Sequence, residues 1–235
     1  MFRNIKLFFI LVIYLIKSQK LIRKIKRLGS EKEISQAIVN EGIDWGKMLL
    51  GKVKGNITVV GAEKLDPSIT VCFISNHQSY FDIPIFLGYV KSERAFLAKV
   101  EILKVPILSE WMKMMHCVFI DRNDARKSVA AIKEATQNLK NGISMVVFPE
   151  GTRAKDGVIG DFKPGGFKMA INSEVPIVPV TIDGAFRFFE KGHKGQVNVR
   201  FVIGDSIETK GLSREEIAGL SEKVKQVIAS NLEGK

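Results

Sequence analysis

Two cysteines are all this chain has, and each sits alone inside an apolar run. Cys72 and Cys117 have no CxxC partner and no ligand spacing, which argues against a disulfide framework and a structural metal site. They read as reduced core residues, and no metal is expected. Proline and glycine, at 7 and 20 residues, are not enriched, and no internal repeat or low-complexity block occurs. That excludes a largely disordered chain. A single large domain, with at most a small appendage, fits 235 residues.

A membrane-length apolar run is also missing. Residues 7–16, LFFILVIYLI, are ten apolar residues, about 15 Å as a helix against a bilayer core of about 30 Å. No small-x-small site follows, as a secretory signal would require; the next residues are KSQKLIRKIKRL. Acidic residues are missing from positions 1–30, which carry +8 of the formal +11 and leave +3 for the other 205 residues. A nucleic-acid binder spreads its basic residues over the folded surface. Here they flank a greasy segment, which points to anionic lipid.

Leu21, Ile22, Ile25 and Leu28 recur at helical spacing, with Lys20, Arg23, Lys24 and Arg27 between them. That is the pattern of a helix lying in the headgroup plane. A second helical stretch over 31–53 carries Ile34, Ile38, Trp45, Met48 and Leu49, with Gly42 or Gly46 available as a bend. The reading is a helical pair over 1–54 that seats the protein in one leaflet, on the cytoplasmic face of the cell membrane. A single short transmembrane anchor is the competing arrangement.

From Asn56 the pattern alternates between strand and helix. NITVVGAEKL, ITVCFISNH, RAFLAK, HCVFID, SMVVFP, IVPVTIDGA and QVNVRFVIGDSI read as strands. Helices are expected from Asp82 to Val90, over ILKVPILSEWMKMM with a break near Pro106, and over GGFKMAINSE and 213–232. The clearest is 124–141, with Val129, Ile132, Ala135, Thr136 and Leu139 on one face and Gly142 as its stop. Strands alternating with helices predict, for 55–235, an α/β fold with a parallel or mixed layered sheet and flanking helices. Ligands gather beyond the carboxyl ends of such strands, where NHQSYFD, IDR and FPEGTR fall.

His77 and Asp82 are five residues apart. On a continuous helix or strand their side chains would point apart. They meet only if the chain turns between Gln78 and Phe81. Together they would form a base and its orienter, the carboxylate fixing the imidazole tautomer. By themselves they also fit a surface histidine followed by an N-capping aspartate. In FPEGTR, Gly151 permits backbone approach to an anion, and Arg153 offers a planar fork for two phosphate oxygens. Glu150 and Arg153 alone would also fit a local ion pair.

Four ordered blocks, NHQSYFD (76–82), CVFIDR (117–122), FPEGTR (148–153) and VPIVPV (175–180), resemble those of the glycerolipid acyltransferases, most closely the bacterial 1-acylglycerol-3-phosphate acyltransferases. The second block usually begins with glycine, and His116-Cys117 stands in that place. The resemblance implies that His77 removes the proton of a glycerol hydroxyl, that Asp82 holds it, and that no covalent acyl-enzyme forms. No GxSxG elbow surrounds any serine, and Ser79 reads as a turn stabiliser. Arg122 and Arg153 would bind the acceptor phosphate, with Glu150, Gly151 and Thr152 in that site. Pro176 and Pro179 would shape the strand beside the acyl channel. Lys99 and Lys104 add candidate charge from their place after a strand.

The implied reaction transfers an acyl chain from an acyl carrier protein or coenzyme A thioester to lysophosphatidate, without a cofactor. The implied partners are membrane lipids and the donor, not nucleic acid. Acylation of glycerol 3-phosphate or of another lysophospholipid is the alternative within the class. A lipid hydrolase using the same His and Asp lies outside it.

Overall fold

The computed structural model describes residues 2–154, 156–189 and 195–232, with side chains from Val12 onward. Seven strands form one sheet: β1 (Gly55–Val60), β2 (Cys72–Ser75), β3 (Arg94–Lys99), β4 (Val118–Ile120), β5 (Ser144–Val147), β6 (Ile177–Asp183) and β7 (Val197–Ile203). Their order is β1-β7-β6-β2-β5-β3-β4. From β6 to β4 every neighbouring pair is parallel, and β7 joins β6 antiparallel with β1 parallel to it. The sheet is therefore mixed. β2 and β5 are buried at every position, which explains their unbroken apolar runs, since a central parallel strand is covered on both faces. The edge strand β1 alternates between half-buried and exposed.

The helices are α1 (Phe2–Ile25), α2 (Glu31–Lys52), α3 (Asp82–Tyr89), α4 (Pro106–Met114), α5 (Ala125–Lys140), α6 (Lys168–Ser173) and α7 (Arg214–Ser230). Pro106 opens α4, where its missing N–H costs nothing, and a 3-10 turn (Val100–Lys104) precedes it. Asp124 caps α5 by accepting from the Arg126 and Lys127 N–H groups. The buried stripe of α5 is Ala131, Ala135, Thr136 and Leu139. Val129, assigned to that face from the sequence, is 71 % exposed.

The N-terminal helices differ from the sequence reading in two ways. α2 runs without a break through Gly42 and Gly46. Gly46 instead lets α2 approach α3, because a Cβ there would lie 2.5 Å from the Pro84 carbonyl oxygen and 2.7 Å from the Gly88 nitrogen. Leu49 and Leu50 of α2 belong to the same core as the sheet, so the boundary at 54/55 separates elements and not cores. In α1, Ile22 and Ile25 are buried and Tyr14 meets Trp45 at a ring distance of 6.1 Å; Lys26, just after the helix, pairs with Glu110 at 2.6 Å. Half of the stripe assigned to lipid is thus spent on protein. Ile13 and Ile16 stay exposed, and the apolar residues 7–11 lie outside the described side chains. Among the described residues no helix is long and apolar enough to cross a membrane.

Candidate active site

β2, β5, β3 and β4 lie side by side and run parallel, so their carboxyl ends share one edge of the sheet. His77 leaves β2 there, FPEGTR leaves β5, Lys99 ends β3 and Arg122 follows β4.

The chain turns between β2 and α3, and the turn is built by Asp82. Its side chain is fully buried, and Oδ2 accepts the Gln78 N–H at 2.7 Å and the Ser79 N–H at 2.9 Å. The same oxygen lies 2.6 Å from His77 Nδ1. A carboxylate can only accept, so Nδ1 carries the proton and Nε2 is the basic nitrogen. The imidazole stacks on Phe148 with ring centroids 4.2 Å apart and keeps 19 % exposure. Asp82 therefore orients the ring and also fixes the backbone that carries it. Ser79 accepts the Phe81 N–H through Oγ and is buried, which is a turn-stabilising position.

Asn76 and Gln78 flank His77 and tie β2 to β6. The Asn76 side chain donates to the Ile182 carbonyl and accepts from the Ile182 N–H, both at 2.8 Å. Gln78 Oε1 accepts from Gly184 and Ala185. Pro179 pairs with Ile74 in β6, and the Pro176 carbonyl accepts from Cys72. Both prolines shape the strand beside β2.

The loop after β5 docks on the same turn. Ala154 N–H donates to the His77 carbonyl at 2.7 Å. Glu150 is buried, with Oε1 accepting the His77 N–H and Oε2 the Gly160 N–H. Burial raises the Glu150 carboxyl above its ordinary range, against the lowering by those two bonds. With both oxygens accepting from backbone donors, Glu150 braces the loop that carries Gly151 and Arg153.

Gly151 adopts a left-handed φ of +72°, and its carbonyl accepts from Arg122. Arg153 lies over the Tyr80 ring with Cζ 3.5 Å from the centroid and donates to the Tyr80 hydroxyl at 2.9 Å. Thr152 is exposed beside them. Lys99 and Lys104 are exposed at the same end of the sheet, Lys99 paired in register with Ile120. Among the described residues neither makes an ion pair. An aromatic group, Tyr80, Phe81, Phe188 and Phe189, adjoins Arg153.

An oriented imidazole thus shares one edge of the sheet with Arg122, Arg153 and a group of aromatic rings. An acyltransferase family model matches residues 56–183. The chain belongs to the acyltransferase family.

A probable 1-acyl-sn-glycerol-3-phosphate acyltransferase of Mycoplasma genitalium is 32% identical over 191 residues, covering 75% of this chain and 71% of that protein. A chloroplastic 1-acyl-sn-glycerol-3-phosphate acyltransferase of Brassica napus is 39% identical over 149 residues, covering 62% of this chain. The chain spans only 43% of that plant protein. The crystal structure of the 1-acyl-sn-glycerophosphate (LPA) acyltransferase PlsC from Thermotoga maritima superimposes with a TM-score of 0.83 at 27% identity, covering 97% of this chain and 94% of that one.

Where the acyltransferase pattern has its glycine before the second block, His116 takes a left-handed φ of 57°, a conformation glycine adopts freely. Cys117 is buried, accepts from the Phe96 N–H, and has its thiol pushed up to about 12 by burial. Three residues near the site carried no sequence signal of their own: Gln78 as clamp, Tyr80 as platform and Lys163. A Cβ built on Gly151 would lie 3.1 Å from Arg122 Nη1 and 3.4 Å from Lys163 Nζ. Lys163 sits outside the four blocks, and only the fold brings it to Gly151.

Proposed function

We propose that this acyltransferase moves a fatty acyl chain from a thioester to the free hydroxyl of 1-acylglycerol 3-phosphate, giving phosphatidate. The observation that carries the reading is the His77–Asp82 contact at 2.6 Å, set beside the Arg122, Arg153 and Gly151 loop. His77 Nε2 takes the hydroxyl proton as the oxygen attacks the thioester carbonyl. The C–S bond then breaks, and the imidazolium returns its proton to the leaving thiolate. Asp82 stabilises the imidazolium between these steps. The cations bind the acceptor phosphate and hold its hydroxyl at the base, so that orientation supplies part of the rate. The donor is acyl carrier protein or coenzyme A; the basic surface suits the acidic character of either.

The enzyme works at the bilayer surface in this reading. Ile13 and Ile16 are exposed on α1, a helix that also exposes Lys20, Arg23 and Lys24, and such a face suits an anionic interface. The test is labelled acyl transfer by purified protein with both thioesters and a panel of acceptors. Transfer to lysophosphatidate, lost in His77→Ala, is the expected result. Fatty acid release without an acceptor would mark a hydrolase instead, and binding to anionic liposomes tests the membrane assignment separately.

A further inference from the structure

We infer that Lys163 belongs to the acceptor's phosphate site, with Arg122, at Gly151. The inference rests on the acyltransferase reading above and adds a residue to it. Lys163 is delivered to this position by backbone contacts. Its N–H donates to the Pro149 carbonyl at 3.1 Å, and the Gly160 N–H of the same return segment donates to Glu150. These two bonds lay the segment along the β5 loop.

Arg122 Nη1 and Lys163 Nζ both border the space where Gly151 lacks a side chain, 3.1 Å and 3.4 Å from the position a Cβ would take. Like charges so placed repel each other unless an anion lies between them. No protein carboxylate does so among the described residues. Glu150 is buried with both oxygens on backbone donors. Asp161, two residues before Lys163, is held by Lys225 at 2.9 Å. Both side chains are exposed and so within reach of a ligand, and a phosphate dianion offers oxygens to both cations at once.

Two substrates carry phosphate, the lipid acceptor and the phosphopantetheine of the donor, and the site takes the acceptor's. The Gly151 loop is bonded to the His77 backbone through Glu150 and Ala154, so a phosphate held there travels with the base that must meet the acceptor hydroxyl.

The experiment measures acyl transfer for Lys163→Met and Lys163→Arg with each substrate varied in turn. Lys163→Met is expected to raise the acceptor KM roughly tenfold or more, the effect of losing one charge-assisted hydrogen bond. The donor KM should stay within about twofold of wild type, and Lys163→Arg should recover most of the loss. A rise in donor KM instead, or an unchanged acceptor KM, overturns the assignment. A second readout needs no turnover: acetic anhydride labelling of Lys163 in the wild-type protein, followed by mass spectrometry with and without glycerol 3-phosphate. Protection supports the site, and equal labelling overturns it. If wild type labels with protection but does not acylate lysophosphatidate, the proposed reaction fails and this site stands. If it acylates lysophosphatidate with no Lys163 effect, the site fails and the reaction stands.

Discussion

Glu150 holds the backbone of His77: Oε1 accepts the His77 N–H at 2.7 Å while Oε2 accepts the Gly160 N–H at 2.9 Å. Both oxygens must accept, and an amide offers only one acceptor. Glu150→Gln therefore points an NH₂ group at one of the two donors, and a buried unmet donor costs about 1–3 kcal/mol. The variant should unfold at lower urea and turn over more slowly, because the base is displaced.

The pH dependence of that difference has a definite sign. Burial raises the Glu150 carboxyl, so the folded state holds this proton more tightly than the unfolded chain does. Its stabilising effect is complete below the unfolded value, about 4.3, and declines as pH rises through the raised value. Glutamine does not titrate. The gap in urea midpoint between wild type and Glu150→Gln should be widest in acid and shrink as pH rises; a gap that widens instead would contradict the assignment.

His77→Ala should lower kcat by at least about 10²–10⁴-fold, the usual contribution of a general base. Asp82→Asn should lose activity too, and for two reasons. The amide no longer fixes the Nδ1 proton, and it disturbs the turn whose Gln78 and Ser79 N–H groups bond to Oδ2. Circular dichroism should show His77→Ala folded. A folded His77→Ala protein with near-full turnover on lysophosphatidate would rule out the mechanism.

The sequence pattern carried the sheet and the His77–Asp82 turn well, for a physical reason. Buried parallel strands demand unbroken apolar runs such as CFIS and SMVV, and a polar break such as NHQSYFD can then only be a turn at a strand end. What it could not carry was the identity of a partner. The Ile22 and Ile25 stripe reads the same whether lipid or protein covers it, and α2 and α4 turned out to be its neighbours. Gly46 reads as a bend or as a close contact, and only the proximity of Pro84 and Gly88 decides. Val129 fits the helical period, but the core approaches α5 from the Ala131–Ala135–Leu139 side. Lys163 is one lysine among many until the fold places it at Gly151.

Gly46 gives a stability prediction with an internal control. Gly46→Ala places a methyl group against the Pro84 carbonyl and the Gly88 backbone, so α2 and α3 must separate. Overpacking of this kind costs about 1–3 kcal/mol. Gly51, near the end of the same helix, has nothing within 4 Å of an added Cβ. There Gly51→Ala should stabilise, by up to about 1 kcal/mol of helix propensity. Thermal melts of the two variants should move in opposite directions; equal shifts would mean that the close helix contact is not the cause.

Tyr80 positions Arg153, and the two can be separated by substitution. The tyrosine contributes a ring face 3.5 Å from the guanidinium carbon and a hydroxyl 2.9 Å from Nη2. The ring is 64 % exposed, so the cation–π contact is worth about 0.5–1 kcal/mol. Arg153→Ala removes the proposed phosphate ligand itself and should weaken acceptor use by about 1.5–3 kcal/mol. Tyr80→Leu keeps the ligand but frees its orientation, so the acceptor KM should rise only about two- to fivefold. Tyr80→Phe retains the face and should lie between Tyr80→Leu and wild type. In the Arg153→Ala background the Tyr80→Leu effect should vanish, because a platform with nothing resting on it has no effect on acceptor binding. An undiminished Tyr80→Leu effect in that background would place the ring in contact with the lipid itself.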